Sequence, residues 1–95
     1  MAKRISILGS TGSIGVNALK VANHLKDEVE IVCLSANTNA ERLIEQANQF
    51  KPRAVAIVDH SAYQIVKGEL NSKSIDVLEG REGLLELAAR DDVDI

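Results

Sequence analysis

A chain of 95 residues makes one domain or less. Its apolar fraction of 45% is globular but aliphatic, because Phe50 and Tyr63 are the only aromatic residues. With a net charge of −3 and a pI near 5.3, neither a basic footprint for nucleic acid nor an aromatic platform for single strands is present.

The first strand is read over Arg4–Leu8. A glycine turn follows, and Ser13–His24 reads as a helix with Ile14, Ala18, Val21, Ala22 and Leu25 on its inner face. Glu30–Ser35 reads as strand two. Asn39–Phe50 reads as helix two, capped by Asn39, and Pro52 ends anything helical before it. Ala54–Val58, apolar throughout, reads as a strand covered on both faces. Ser61–Leu70 reads as helix three with Ser61 as its cap, and residues 71–74 as a turn. Ile75–Leu78 reads as strand four, and Gly80–Arg90 as a turn and helix four. Four βα units with no long linker predict an α/β fold, a doubly wound parallel sheet of Rossmann type with helices on both faces. Asp91–Ile95 reads as a solvated turn and the first residue of another strand. A doubly wound nucleotide domain continues past this point, so the expectation is a piece of a longer enzyme, incomplete at its C-terminal side, with an unprotected sheet edge that invites association.

Gly9-Ser10-Thr11-Gly12-Ser13-Ile14-Gly15 carries the chemistry. It follows a strand and opens a helix, the context that gives a glycine motif meaning. Gly9 permits a tight turn, Gly12 lets backbone amides approach a pyrophosphate, and Gly15 lets the helix pack closely. The helix N-terminus offers unpaired amides and a positive dipole end to an anion. A turn that needs glycine for backbone reasons alone is the plainer reading. A P-loop is disfavoured, since Val16-Asn17 follows Gly15 where that motif places lysine.

The end of strand two reads Ser35-Ala36-Asn37-Thr38-Asn39, with no acidic residue to bond two ribose hydroxyls. An uncharged, donor-rich loop leaves room for a 2′-phosphate and favours NADP(H) over NAD(H). Arg42 is the nearest cation for that phosphate; a solvated helix-face arginine is the other reading. Cys33, the only cysteine, sits in an apolar run and reads as a buried structural thiol, which suits a reducing cytosol. His60 beside Asp59 reads as a plain turn, and His24 as a helix-end residue favoured by the dipole. Neither a metal-ligand spacing nor a catalytic residue stands out. Lys3-Arg4 precedes only a short apolar patch, and the longest apolar run, Ala54–Val58, is too short for a membrane span. A cytoplasmic location is expected.

The glycine run, the loop Ser35–Asn39, the segment Glu45–Ile57 and the stretch Val77–Leu84 together resemble the N-terminal part of 1-deoxy-D-xylulose 5-phosphate reductoisomerase. The likeness covers essentially the whole chain. It implies an N-terminal NADPH-binding domain over residues 1–95 in which Thr11, Gly12, Ser13 and Ile14 contact the cofactor phosphates and nearby groups, within the cofactor-binding run Gly9, Ser10, Thr11, Gly12, Ser13, Ile14 and Gly15 read from the motif. Asn37, Thr38 and Asn39 would form the 2′-phosphate loop. Some members carry glycine and lysine where this chain has Asn37 and Thr38. The resemblance further implies an enzyme of non-mevalonate isoprenoid biosynthesis that rearranges a linear sugar phosphate and reduces it with NADPH to 2-C-methyl-D-erythritol 4-phosphate. That enzyme uses Mg²⁺ or Mn²⁺ and is a homodimer. Its metal ligands and substrate site lie beyond this stretch, so these 95 residues are expected to be inactive alone. Two rivals remain at this stage: the nucleotide domain of another NADP-linked dehydrogenase, and a non-enzymatic nucleotide-sensing module.

Overall fold

The computed structural model describes residues 2–70 and 73–95. Asn71 and Ser72 of the expected turn lie outside the described residues. The elements alternate strictly: β1 (Lys3–Ile7), α1 (Ser13–His24), β2 (Val29–Ala36), α2 (Ala40–Phe50), β3 (Ala54–Ile57), α3 (His60–Leu70), β4 (Asp76–Glu79) and α4 (Gly80–Ala88). All pairings are parallel and the strand order is β1-β2-β3-β4. Three successive crossovers in one direction, all of the same hand, put their helices on one face. Leu19 and Ala22 of α1, Leu43 and Ala47 of α2, and Val66 and Leu70 of α3 accordingly share a core with Leu34, Val55 and Ile57. Helix α4 crosses to the other face, where Leu87 packs on Val32, Cys33, Ala54 and Ala56. Strand β3 shows the period of two directly, with Ala54 and Ala56 on one side, Val55 and Ile57 on the other, and all four fully buried.

Strand β2 breaks that period. Ile5 pairs with Ile31 but Ser6 pairs with Cys33, so Val32 is an extra residue in the ladder. Such a bulge turns two consecutive side chains to one face. Val32 and Cys33 both reach the α4 side, and Leu34 returns to the α1–α3 side.

The chain comes back to the free edge of β1 at its last residues. The amide of Ile95 donates to the Arg4 carbonyl at 3.2 Å, and the amide of Ser6 donates to the Ile95 carbonyl at 2.9 Å. Two such bonds are one rung of a parallel ladder. The strand order therefore reverses at β1, and in open α/β sheets ligands bind beyond the strand ends at that switch point. The C-terminal turn is more than solvated. Asp92 pairs with Arg90 and Arg53, and Asp94 pairs with Arg4. The hydrogen bond from Arg90 holds the Asp92 carboxyl well below the usual carboxylate range, and the backbone amide of Arg4 does the same for Asp94.

The inner face of α1 differs from the expected one. Gly15, Leu19 and Ala22 are buried, whereas Ile14 is 85% and Val21 57% exposed. The close approach at Gly15 sets the helix's rotation, and an apolar count alone does not report it. Asp59, not Ser61, caps α3, its Oδ2 accepting from the Ala62 amide at 3.0 Å.

Candidate functional site

The turn after β1 is fixed by hydrogen bonds to β2. The Gly9 amide donates to Ser35 Oγ and the Ser10 amide to the Ser35 carbonyl, both at 2.8 Å. Gly9 has φ +74°, a left-handed conformation that glycine adopts without a steric penalty. Gly15 is required by proximity, because a Cβ there would stand 2.3 Å from the Gly9 carbonyl oxygen and 2.6 Å from Ser10 Cα. The close packing foreseen for Gly15 is thus made against the turn above the strand end.

Ser10 is a correction to the expected set of contacts. It is fully buried; its hydroxyl donates to Gln46 Oε1 at 2.7 Å, its carbonyl accepts from Gln46 Nε2 at 2.8 Å, and its amide is used on Ser35. No group of Ser10 is left for a ligand; it braces the turn. Gly9, Ser10 and Gly15 therefore shape the cradle from within. Thr11, Gly12, Ser13 and Ile14 form its outer surface.

Among the described residues, the amides of Thr11, Ser13 and Ile14 find no acceptor, while that of Gly12 is taken by the Gly9 carbonyl at 3.2 Å. They are unpaired donors at the positive end of α1. No acidic side chain occupies that first turn, so nothing internal neutralises it. Gly12 itself has φ −76° and ψ 171°, open to any residue, and a Cβ there would meet only the Gly9 carbonyl at an ordinary 3.5 Å. Neither backbone nor packing asks for glycine at that position. Free space above the cradle is what a Cβ would fill.

The loop after β2 lies alongside. Asn37, Thr38 and Asn39 are all exposed. Asn39 caps α2 through Oδ1, which accepts from the Arg42 amide at 3.0 Å. The Arg42 guanidinium reaches back to the Thr11 carbonyl, Nη1 to O 3.5 Å. Its charge thus stands between the glycine turn and the loop, and is not confined to an isolated helix face.

On the α4 side the ends of β1, β2 and β3 line a crevice of about 420 Å³. Leu8, Ala36, Val58 and Leu84 form apolar walls, with Asn37 and Arg81 supplying polar groups. His60 at the start of α3 contacts Glu79 at the end of β4 through Nδ1 and Oε2. The carboxylate raises the imidazole above its ordinary pKa. Cys33 is fully buried and burial pushes its thiol pKa up, as a structural thiol requires. Among the described residues, no group of three or more His, Cys, Asp or Glu could hold a metal ion, and no helix is long and apolar enough to cross a membrane.

This arrangement has relatives. Residues 5–95 match the family model described as 1-deoxy-D-xylulose 5-phosphate reductoisomerase. The chain belongs to the 1-deoxy-D-xylulose 5-phosphate reductoisomerase family. It is 42% identical over 92 residues to the reductoisomerase of Chloroherpeton thalassium, covering 97% of this chain and 24% of the relative. With that of Halothermothrix orenii it shares 40% over 95 residues, covering 100% and 25%. The chain thus spans about a quarter of the length of the curated relatives it matches. Among solved structures, the reductoisomerase of Zymomonas mobilis in complex with NADPH superposes with a TM-score of 0.87 at 30% identity, covering 93% of this chain and 23% of the other. A reductoisomerase in complex with NADPH, fosmidomycin and magnesium gives 0.90 at 26% identity, covering 97% and 23%.

The reductoisomerase resemblance and the Rossmann-like fold read from the sequence are borne out by these matches. Gln46 is the site residue that sequence reasoning missed. A polar residue on the inner, apolar side of helix two, among Leu43, Ala47 and Phe50, was the available signal.

Proposed function

We propose that this chain is the N-terminal NADPH-binding domain of a 1-deoxy-D-xylulose 5-phosphate reductoisomerase. The observation that carries the reading is the row of unpaired amides at Thr11, Ser13 and Ile14, beneath open space at Gly12. Those amides would hold the cofactor pyrophosphate through backbone hydrogen bonds and the α1 dipole. Asn37, Thr38 and Asn39 would line the 2′-phosphate, and Arg42 supplies the positive charge that the loop itself lacks. The apolar crevice between Leu8, Val58 and Leu84 fits a planar base, with Arg81 at its margin. When bound, NADPH supplies a hydride for reduction of the rearranged sugar phosphate. This chain's part is to bind and orient the nucleotide at the sheet's switch point.

The whole protein would convert 1-deoxy-D-xylulose 5-phosphate to 2-C-methyl-D-erythritol 4-phosphate in the cytoplasm, as a homodimer. Its divalent metal, Mg²⁺ or Mn²⁺, and the sugar phosphate would be held by residues other than those in this stretch. No role in nucleic-acid or membrane binding is assigned. A paired titration with NADPH and NADH, followed by amide NMR shifts, tests the reading. Shifts at Gly12, Ser13 and Asn39 with NADPH, and much smaller ones with NADH, support it; equal shifts remove the 2′-phosphate assignment. No shift with either, in a folded sample, removes the cradle.

A further inference from the structure

Helix α2 is joined to the glycine turn by one buried side chain. Gln46 is 8% exposed and lies opposite Ser10, which is fully buried. Its amide is used at both ends, Oε1 accepting from Ser10 Oγ at 2.7 Å and Nε2 donating to the Ser10 carbonyl at 2.8 Å. The second bond has a directional consequence. A trans peptide is planar, so its carbonyl and its N–H point to opposite sides. The Ser10 carbonyl belongs to the same peptide as the Thr11 amide. Drawing that carbonyl inward onto Gln46 turns the Thr11 N–H outward, toward the open face of the cradle. The Thr11 amide has no other partner to set its direction among the described residues.

We infer that Gln46 is a positioning residue for nucleotide binding: it aims the Thr11 N–H at the cofactor pyrophosphate without touching the cofactor. The inference rests on the nucleotide reading above for its ligand. The same helix carries Asn39 at its cap and Arg42 one turn before Gln46. One rigid element thus holds both the 2′-phosphate loop and the orientation of the pyrophosphate cradle. The two roles are separable. Gln46 acts on the part common to NADPH and NADH, whereas Arg42 acts on the part that differs.

Gln46→Met keeps the volume and helix propensity and removes both hydrogen bonds. In the protein at its full natural length, this variant is expected to lose roughly tenfold in affinity for NADPH and for NADH alike, with their ratio unchanged. A folded Gln46→Met protein that binds both nucleotides as the parent does would overturn the inference, and so would a loss confined to NADPH. A readout without ligand needs no variant. A crystal structure of the unsubstituted, nucleotide-free protein gives the direction of the Thr11 N–H vector, expected to point away from Gln46. A vector lying toward Gln46 overturns the inference even if Gln46→Met does not fold. If the parent protein binds neither nucleotide, the nucleotide reading itself fails, and with it this role for Gln46, whatever the direction of the Thr11 N–H.

Discussion

The Gly15 Cα lies directly against the Gly9 carbonyl, so close that a Cβ on Gly15 would stand 2.3 Å from that oxygen. The backbone on both sides of this contact is fixed, one side by β2 and the other by α1. A methyl group there cannot be absorbed by a flexible side chain.

Gly15→Ala is therefore expected to destabilise the fold by about 3 kcal/mol, the upper range for overpacking a close contact. Gly12→Ala, whose Cβ meets only an ordinary 3.5 Å contact, should change stability by less than about 0.5 kcal/mol while weakening nucleotide binding. Urea melts alongside NADPH titration separate the two. Equal stability losses would show that Gly12 is structural.

Arg42→Ala is expected to weaken NADPH binding by about tenfold and leave NADH unchanged, the loss of one charged contact to the 2′-phosphate. Thr38→Lys should move NADPH affinity the other way by a similar factor, because it adds a cation to a loop that has none. Dissociation constants for both nucleotides in both variants decide it. A parallel change for NADH would place these side chains elsewhere in the site.

The His60–Glu79 contact makes a pH-dependent contribution of definite sign. Glu79 raises the His60 pKa in the folded chain. The contribution is complete below the unfolded value of about 6.5 and disappears as pH rises through the higher folded value. NMR titration of the His60 ring should give a midpoint above 6.5 that returns toward it in Glu79→Gln. A midpoint unmoved by that substitution would dissociate the pair in solution.

Cys33 should resist thiol reagents in the native state and react once the chain unfolds. Its side chain is fully buried between β2 and α4, and burial disfavours the thiolate. Reaction rates with and without denaturant measure this, and rapid labelling of the native protein would contradict the packing.

Much of this architecture is written in local sequence. Glycine at 9 and proline at 52 punctuate the chain, and apolar spacing separates the helices from the strands between them. Boundaries fall within one or two residues of expectation, and Ser13–His24 falls on them at both ends. What is not legible depends on partners distant in sequence. The Val32 bulge exists only in the pairing of β2 with β1. The rotation of α1 follows from the Gly15 approach, and Ile14 reads as core until that contact is known. In the site, the outer face of the cradle and the Asn39 cap follow from residue type and position. The inward role of Ser10 does not, because its partner Gln46 lies 36 residues away.

Strand order has a consequence for how the chain acquires its structure. Because β1, β2, β3 and β4 are neighbours in the sequence in which they are made, each unit can dock on the one just finished, through short chain closures. Such closures are fast because little loop entropy stands in their way. One element cannot form this way. The rung between Ile95 and β1 joins residues about 90 positions apart and can close only after everything between them has been synthesised. The cradle, built entirely from the first two units, can thus be complete on a nascent chain before the sheet reverses direction.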